Sequence, residues 1–273
     1  MPLRRKAYLL LKAMRIPEWR GYVGLVAYGA LSSLGDTGSI LPGALFLAAI
    51  TFSYMAAIYL VNNASDANLD KLSGKAYRNP AAMGEVGEEE LLTAGLLIAA
   101  CGFAATAAWG RLPLIATYAL GVSVGVAYSL PPVRLKGRSP LDLLSHSFFF
   151  GTAPYLMGRL TVGEGVDASI LLFISIVSIT LELRNELEDF KADLAANCRT
   201  TVVVLGCERS RRLLKLLQAS VLLLPLCLAC LEGAPLSTVL APLVAACLLV
   251  GDDTRNRLVD AYASLYLALT LLK

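Results

Sequence analysis

Charged residues are scarce in this sequence. They make up 16% of its 273 residues, whereas globular chains typically carry about 25%. Hydrophobic residues make up 56%, and they are gathered in long apolar runs that short polar segments separate. This composition excludes an ordinary soluble domain and predicts an all-α polytopic membrane protein. The basic residues are distributed along the edges of the apolar runs, which is not the pattern of a nucleic-acid-binding surface.

Histidine is nearly absent, and the cysteines are not arranged as ligands. The six cysteines have neither the spacing of a zinc site nor that of a disulfide framework. The single histidine, His146, stands between two serines inside an apolar run. We interpret His146 as a packing residue rather than a functional one.

The apolar runs predict about nine transmembrane helices in one domain that covers residues 1–273. The predicted spans are 21–36, 41–62, 91–109, 112–130, 141–160, 168–184, 213–232, 235–251 and 256–272. Acidic stretches follow the second and sixth spans, and polar turns follow the fourth and eighth, a spacing that suggests an internal repeat. We therefore predict two four-helix units plus one helix, arranged around a central cavity.

Lysine and arginine predict the orientation of the chain. If the N-terminus is cytoplasmic, the outer segments carry only Arg111, Arg159 and Lys273 of the 24 basic residues, as the positive-inside rule requires. Residues 1–20 mix basic and apolar side chains and are predicted to form an interfacial helix. Residues 63–90 and 185–212 are predicted to be cytoplasmic motif loops. The chain is thus predicted to be an integral protein of the cell membrane, with its polar motifs on the cytoplasmic side.

Two acidic stretches stand at the inner ends of apolar runs. In the first, Asn62, Asp66 and Asp70 are four residues apart, so a continuing helix stacks them on one face at roughly 6 Å per step. The second stretch has four acids on one helical face: Glu182, Glu186, Asp189 and Asp193. Carboxylates placed so closely repel one another unless cations lie between them. Their hard oxygens suit Mg²⁺ that is held jointly with a phosphorylated substrate.

The alternative interpretation is a pair of solvated acidic loops, which membrane proteins often have. Three features argue against it: the period of four is kept, the first stretch directly adjoins the membrane, and its counterpart recurs at the matching place. Carboxylates cost roughly 2.5–3.5 kcal/mol at the centre of a membrane and less at its edge, so they usually have a function. We therefore predict a metal–phosphate site.

A third motif follows the fourth apolar run, and it reads Tyr128-Ser129-Leu130-Pro131-Pro132-Val133-Arg134-Leu135-Lys136-Gly137-Arg138. An ordinary positive-inside turn explains its cations but not the Tyr-Ser-x-Pro-Pro sequence before them. Arg134 and Lys136 could hold an anionic head group or a diphosphate. Arg138 lies farther out, and we interpret it as a determinant of topology.

The three motifs, in this order, resemble those of the UbiA-type intramembrane prenyltransferases. The first motif of that family reads Asn-Asp-x-x-Asp-x-x-x-Asp, and here Asn63 replaces its second residue. The second reads Lys-Asp-x-x-Asp-x-x-x-Asp, and here Glu186 replaces its first acid, with Thr200 in the strip after it. The segment from Tyr128 to Lys136 is similar to a strip that many members carry after their fourth helix. The resemblance spans most of the chain.

The resemblance implies Mg²⁺-dependent transfer of a polyprenyl group from an isoprenyl diphosphate, such as geranylgeranyl diphosphate, to a lipophilic acceptor in the membrane. The implied metal ligands are Asn62, Asp66, Asp70, Glu186, Asp189 and Asp193. The implied diphosphate-binding residues are Asn62, Arg78, Arg134 and Lys136. The implied catalytic residues are Asp66, Asp70, Asp189, Asp193 and Tyr128. The acceptor is left open among a glycerol-phosphate ether lipid, an aromatic quinone precursor, a chlorin or haem, and a carotenoid.

Two other classes of protein also place acids at a membrane. A secondary transporter has them in helices that are interrupted at mid-span in matched pairs, whereas the acids here lie at one edge. A non-catalytic scaffold has no reason to keep two acidic faces, and it predicts no dependence on a metal. The positions of the acids favour an enzyme over both.

Overall fold

The computed structural model describes residues 2–33, 40–163, 165–231 and 236–272. Within these ranges the chain is helical and has no β-strand, which confirms the all-α class. The α-helices are α1 (Leu3–Ala13), α2 (Arg20–Leu31), α3 (Ile40–Ser65), α4 (Ala67–Leu72), α5 (Glu88–Trp109), α6 (Leu112–Ser129), α7 (Leu141–His146), α8 (Ala153–Val162), α9 (Ala168–Ala195), α10 (Thr201–Leu205), α11 (Cys207–Leu231), α12 (Leu236–Leu249) and α13 (Asp252–Thr270). A π-turn, Ser147–Thr152, joins α7 to α8.

Five of the described helices are long and apolar enough to cross a membrane. They are α3 from Gly43 onward, α5, α6, α9 and α11, and they have 18 to 28 residues each. A span needs about 20 predominantly apolar residues because each residue rises 1.5 Å along the helix. These five correspond to the second, third, fourth, sixth and seventh predicted spans, which confirms a polytopic helical membrane protein.

The other four predicted spans are helical but shorter, interrupted or more polar. Helices α2 and α12 have 12 and 14 residues. The fifth predicted span is the run α7, π-turn and α8, and the ninth is α13, whose first turn is acidic. Residues 34–36 of the first predicted span, residue 232 of the seventh and residue 235 of the eighth lie outside the described residues. The count of nine therefore stays a prediction.

The predicted cytoplasmic motif segments contain more helix than loop. Helix α9 continues through residue 195, and α10 and the start of α11 occupy most of the second segment beyond it. This segment is helical because its helices have apolar faces to bury. Leu183, Val202 and their neighbours pack together beneath it. In the first segment, α3 continues to Ser65 and α4 begins almost at once. In the N-terminal segment, residues 3–13 form α1, with Leu9 and Ala13 buried, and the place of this helix at a membrane interface stays a prediction.

The hydrophobic core does not divide into the two predicted four-helix units. One cluster of buried side chains joins α1, α3, α5, α6 and α8. A second joins α9, α11, α12 and α13 with Tyr28 of α2 and Tyr155 of α8. The predicted repeat places α8 in the second unit, yet α8 packs chiefly on α2 and α6 of the first. The two clusters of buried side chains therefore do not coincide with the two predicted units, and the repeat stays a prediction.

Two glycines let α2 and α8 approach each other closely. A Cβ atom on Gly158 would lie 1.9 Å from the carbonyl oxygen of Val26, and one on Gly29 would lie 2.1 Å from that of Tyr155. Small residues at such crossings allow backbones to touch, which is a common way for membrane helices to associate. The crossing holds the aromatic side chain of Tyr22 on α2 against Phe150 of the π-turn, with ring centroids 4.4 Å apart.

We expect Gly158→Ala to lower the free energy of unfolding by about 1–3 kcal/mol, because the methyl group must push α2 and α8 apart. Gly24→Ala is the matched control, since a Cβ at that position of α2 meets no atom within 4 Å. Reversible unfolding of the purified protein in detergent measures both. Equal stability of the two variants would show that the helices do not cross at these glycines.

Candidate active site

A cavity of about 350 Å³ lies between the two acidic stretches. It is bounded by the C-terminal ends of α3 and α6, by α4, by the π-turn and by α9. The predicted site residues that line it are Asn62, Asp66, Asp70, Arg78, Tyr128, Lys136, Glu186, Asp189 and Asp193. The remaining predicted residue, Arg134, lies elsewhere.

The first acidic stretch keeps its helical spacing across a break. Helix α3 ends at Ser65, the chain bends at Asp66, and α4 begins at the next residue. The amide of Asp66 still donates to the carbonyl oxygen of Asn62 at 2.9 Å, and that of Asp70 donates to the carbonyl oxygen of Asp66 at 2.8 Å. The side-chain amide of Asn62 also donates to Asp66 Oδ2, at 2.8 Å. The three side chains therefore remain neighbours, as the period of four predicts.

Asp66 is buried against a lysine from the third motif. The residue is 3% exposed, and Lys136 Nζ forms an ion pair with its Oδ2. Burial lowers the pKa of Lys136, but the adjacent Asp66 carboxylate outweighs this effect, so that the pKa lies above its ordinary value. The other oxygen, Asp66 Oδ1, is buried and has no hydrogen-bond partner among the described residues.

Asp70 is held by two side chains that the sequence patterns do not assign to the site. Arg15 Nη2 donates to Asp70 Oδ2 at 3.0 Å, and the side-chain amide of Asn79 donates to the same oxygen at 2.8 Å. Arg15 lies in the turn after α1, where its backbone φ is +52°. In the sequence it is only one of the cations that orient the chain, because its distance from Asp70 along the chain gives no sign of contact.

The second acidic stretch lies on α9. Its carboxylates contact a lysine from the loop after α4 and groups of the segment that follows α9. Lys75 Nζ donates to both oxygens of Asp189, at 2.5 and 2.7 Å. The amide of Val202 donates to Glu186 Oε2 at 3.0 Å. Thr200 Oγ1 donates to Asp193 Oδ2 at 3.4 Å. Lys75 thus links the loop after α4 to α9, a contact that no pattern in the sequence indicates.

Glu182 joins a tyrosine and the lone histidine at the apolar end of the cavity. Tyr128 Oη donates to Glu182 Oε1 at 2.8 Å, and His146 Nε2 lies 3.2 Å from Glu182 Oε2. The imidazole is 7% exposed and lines the cavity with Phe149 and Phe150. The serines around His146 suggest a packing residue, but the structure places it beside a buried carboxylate at the site.

Asn63, the first departure from the family motif, faces away from the cavity. Its side-chain amide donates to the carbonyl oxygen of Ala13 at 2.5 Å, and its backbone carbonyl oxygen accepts from Asn79 at 2.8 Å. The side chain is fully buried. Asn63 therefore anchors α1 to α3, a contact that a carboxylate could not make because it has no hydrogen to donate.

Arg134 and Lys136 point to different places although they are two residues apart. Arg134 has a backbone φ of +39°, and its side chain lines a second pocket of about 250 Å³ with Arg138 and Arg199. Lys136 reaches the main cavity instead. The assignment of Arg134 to a diphosphate stays a prediction. Arg78 lines the main cavity, where its Nη1 lies 3.6 Å from Glu18 Oε1.

The cavity suits a metal ion that is shared with a ligand rather than caged by protein. All six cysteines are free. Within the described ranges, no three histidine, cysteine, aspartate or glutamate side chains are grouped closely enough to hold a metal ion. Mg²⁺, however, normally keeps waters and binds one or two carboxylates together with substrate phosphates. Asp66 Oδ1 and Glu186 Oε1, both buried and without partners among the described residues, are oxygens of the kind that it prefers.

Comparison of the sequence with protein families identifies the UbiA prenyltransferase family, whose model matches residues 22–266. No curated protein sequence matches the chain significantly.

Comparison of the fold with solved structures identifies similar membrane proteins. A UbiA homolog from Archaeoglobus fulgidus bound to GPP and Mg²⁺ superimposes with a TM-score of 0.73 and 19% sequence identity, and the match covers 96% of this chain and 98% of that one. The same homolog bound to DMAPP and Mg²⁺ matches with the same TM-score, identity and coverage. A structure from work on digeranylgeranylglyceryl phosphate synthase in membranes matches with a TM-score of 0.70 and 13% identity, covering 97% and 98% of the two chains.

We expect Lys136→Ala to lower the free energy of unfolding by about 3–5 kcal/mol, because it leaves the buried Asp66 carboxylate without its cation. Adding Asp66→Asn to this variant should recover much of the loss, since no unpaired charge then remains. Arg138→Ala is the control, because Arg138 is exposed and lies two residues away, and it should change the stability by no more than about 0.5 kcal/mol. Denaturant unfolding of the three variants tests the pair, and a Lys136→Ala protein as stable as Arg138→Ala would contradict it.

Proposed function

The chain belongs to the UbiA prenyltransferase family, and we propose that it transfers a polyprenyl group from an isoprenyl diphosphate to a lipophilic acceptor within the membrane, with Mg²⁺ as cofactor. The observation that carries the proposal is the cavity, where two acidic helical faces meet a set of cations above an aromatic wall. The cations that line it are Arg15, Lys75, Arg78 and Lys136.

The charged end of the cavity has the groups that a metal-bound diphosphate requires. Asp66, Asp70 and Asp189 each contact a cationic side chain. When Mg²⁺ is bound, it supplies positive charge that stabilises the departing diphosphate. Asp66, Asp70 and Asp189 would then hold the metal, and Lys75 and Lys136 would be free to donate to the diphosphate oxygens. A diphosphate carries more negative charge than one Mg²⁺ cancels, so these lysines have a direct use.

The aromatic end of the cavity suits the allylic carbon from which the diphosphate departs. Tyr128, Phe149 and Phe150 line this end, and the ring centroids of Phe149 and Phe150 are 4.6 Å apart. The face of an aromatic ring attracts a cation by about 0.5–2 kcal/mol, with the larger value where water is excluded. These rings would shield a developing allylic cation from water until the acceptor attacks it.

The similar structures support the substrate and the cofactor. The structure of the Archaeoglobus fulgidus homolog has been determined with GPP and Mg²⁺ and with DMAPP and Mg²⁺. Each pair consists of an isoprenyl diphosphate and Mg²⁺, which is the combination that the proposal assigns to this chain. The acceptor is identified by experiment: purified protein is incubated with Mg²⁺, radiolabelled geranylgeranyl diphosphate and a panel of acceptors. The panel contains a geranylgeranylglyceryl phosphate, an aromatic quinone precursor, a chlorin, a haem and a carotenoid. Transfer of label to none of them, with the protein folded, would oppose the proposal.

We expect Asp70→Asn, Asp189→Asn and Asp193→Asn each to weaken Mg²⁺-dependent binding of a non-hydrolysable prenyl diphosphate analogue by at least about tenfold, or 1.4 kcal/mol. Each change removes a charged oxygen ligand and leaves the shape of the site. Turnover of geranylgeranyl diphosphate should fall by at least as much.

Glu208→Gln is the matched control for these variants. Glu208 is an exposed acid in the first turn of α11 and pairs only with Arg212 among the described residues. The control should bind the analogue as the unchanged protein does. Unchanged affinity in two of the three site variants would show that the acidic faces do not hold a metal-bound diphosphate.

A further inference from the structure

We propose that His146 is a catalytic residue that takes the proton of a hydroxyl-bearing prenyl acceptor, and that Glu182 positions it. This inference rests on the proposed function and deepens it, since it names the chemical class of the acceptor and the base that the reaction needs. His146 lies on the last turn of α7, outside the three family motifs.

Glu182 lies beside one nitrogen of the imidazole. His146 Nε2 lies 3.2 Å from Glu182 Oε2. The carboxylate is itself held from two sides, because Tyr128 donates to Oε1 at 2.8 Å and Asn185 donates to Oε2 at 3.2 Å. A carboxylate beside one ring nitrogen keeps the proton on that nitrogen and so selects the tautomer. The lone pair is then on Nδ1.

Nδ1 of His146 is buried and has no hydrogen-bond partner among the described residues. A buried nitrogen acceptor that is left unpaired costs free energy, which a ligand with a hydrogen to donate would recover. The imidazole lines the cavity, and the proposal assigns the missing partner of Nδ1 to a ligand that enters the cavity. A hydroxyl group supplies the hydrogen bond, whereas a hydrocarbon end such as that of a carotenoid does not.

The backbone after His146 places the base beside the aromatic wall. The π-turn begins at the next residue, and such turns often occur at functional sites. The imidazole centroid lies 5.4 Å from the ring of Phe149 and 4.9 Å from that of Phe150. The charged groups that act on the imidazole are Glu182 and Lys136. The base is therefore next to the rings that shield the reacting carbon.

The proposed step conserves atoms and electrons. The hydroxyl oxygen of the acceptor attacks C1 of the prenyl chain, and the bond between C1 and the diphosphate oxygen breaks. The diphosphate leaves with the electron pair of that bond. The hydroxyl proton moves to Nδ1, which forms an imidazolium beside the Glu182 carboxylate. This proton is lost to water before the next turnover.

The first test uses the fact that the chain has one histidine. Protein labelled with ¹⁵N-histidine, and purified through a tag without histidine, gives one pair of ring-nitrogen signals in an NMR spectrum. We expect Nε2 to carry the proton and Nδ1 to be bare at neutral pH. With the prenyl diphosphate analogue bound, addition of geranylgeranylglyceryl phosphate or 1,4-dihydroxynaphthoate, as alcohol and phenol probes, should shift the Nδ1 signal. A carotene should not shift it.

The second test uses variants. His146→Ala should reduce prenyl transfer to the accepted hydroxyl substrate by at least about 100-fold, as is usual for loss of a general base, while affinity for the diphosphate analogue stays within about twofold. Glu182→Gln should redistribute the proton between the two ring nitrogens in the NMR spectrum, which a purely structural role would not do. Ser147→Ala is the control, because Ser147 is adjacent but bonds to the carbonyl oxygen of Ser175 and does not line the cavity.

Two results would overturn the proposal: transfer within about threefold of normal in His146→Ala, or an Nδ1 signal that carries the proton and does not respond to either hydroxyl probe. The NMR measurement does not depend on turnover. If the acceptor panel shows no transfer but Nδ1 is bare and responds to a hydroxyl probe, the prenyl-transfer function fails while the hydroxyl-binding role of His146 stands.

Discussion

Buried carboxylates have to be neutralised, and the segments around the cavity are arranged by this requirement. An unpaired carboxylate away from water costs several kcal/mol. Three carboxylates of the cavity receive a cation from a segment distant in sequence, and the pairs are Arg15 with Asp70, Lys75 with Asp189, and Lys136 with Asp66. The turn after α1, the loop after α4 and the turn after α6 are thereby tied to the helices that carry the acids. Movement of the turn after α1 or of the turn after α6 would leave Asp70 or Asp66 without its cation.

The cavity has two chemically different ends, and α9 carries a residue at each of them. Glu182, at the aromatic end, and Asp189, at the charged end, are seven residues apart, which is about 10 Å along a helix. Under the proposed function, that length would accommodate a diphosphate with its metal at one end and the first carbons of a prenyl chain at the other. The crossing of α2 and α8 at Gly29 and Gly158 lies near the aromatic end, where Tyr22 stacks on Phe150. The packing of α2 on α8 therefore also positions aromatic side chains of the site.

Local spacing predicted the parts of the site that depend on a single helix. The period of four in Asn62, Asp66 and Asp70 requires only that the helical hydrogen bonds continue, and they do so across the bend. Contacts between segments that are distant along the chain produce no such regular spacing in the sequence. Arg15 and Asp70 are 55 residues apart and Lys75 and Asp189 are 114 apart, and the positive-inside bias already accounted for both cations. The alternate spacing of Arg134 and Lys136 also did not indicate that the two residues line different pockets.

The ion pairs also relate metal binding to substrate binding under the proposed function. While Lys75 and Lys136 neutralise Asp189 and Asp66, a metal ion alone would have to displace two cations and leave them unpaired near its own charge. A diphosphate changes this balance, because its oxygens accept the lysines that the metal displaces. Under the proposed function the carboxylates would hold the metal and the lysines would donate to the diphosphate, so that each of these charges would have a partner. Under the proposed function, each ligand would therefore favour the binding of the other.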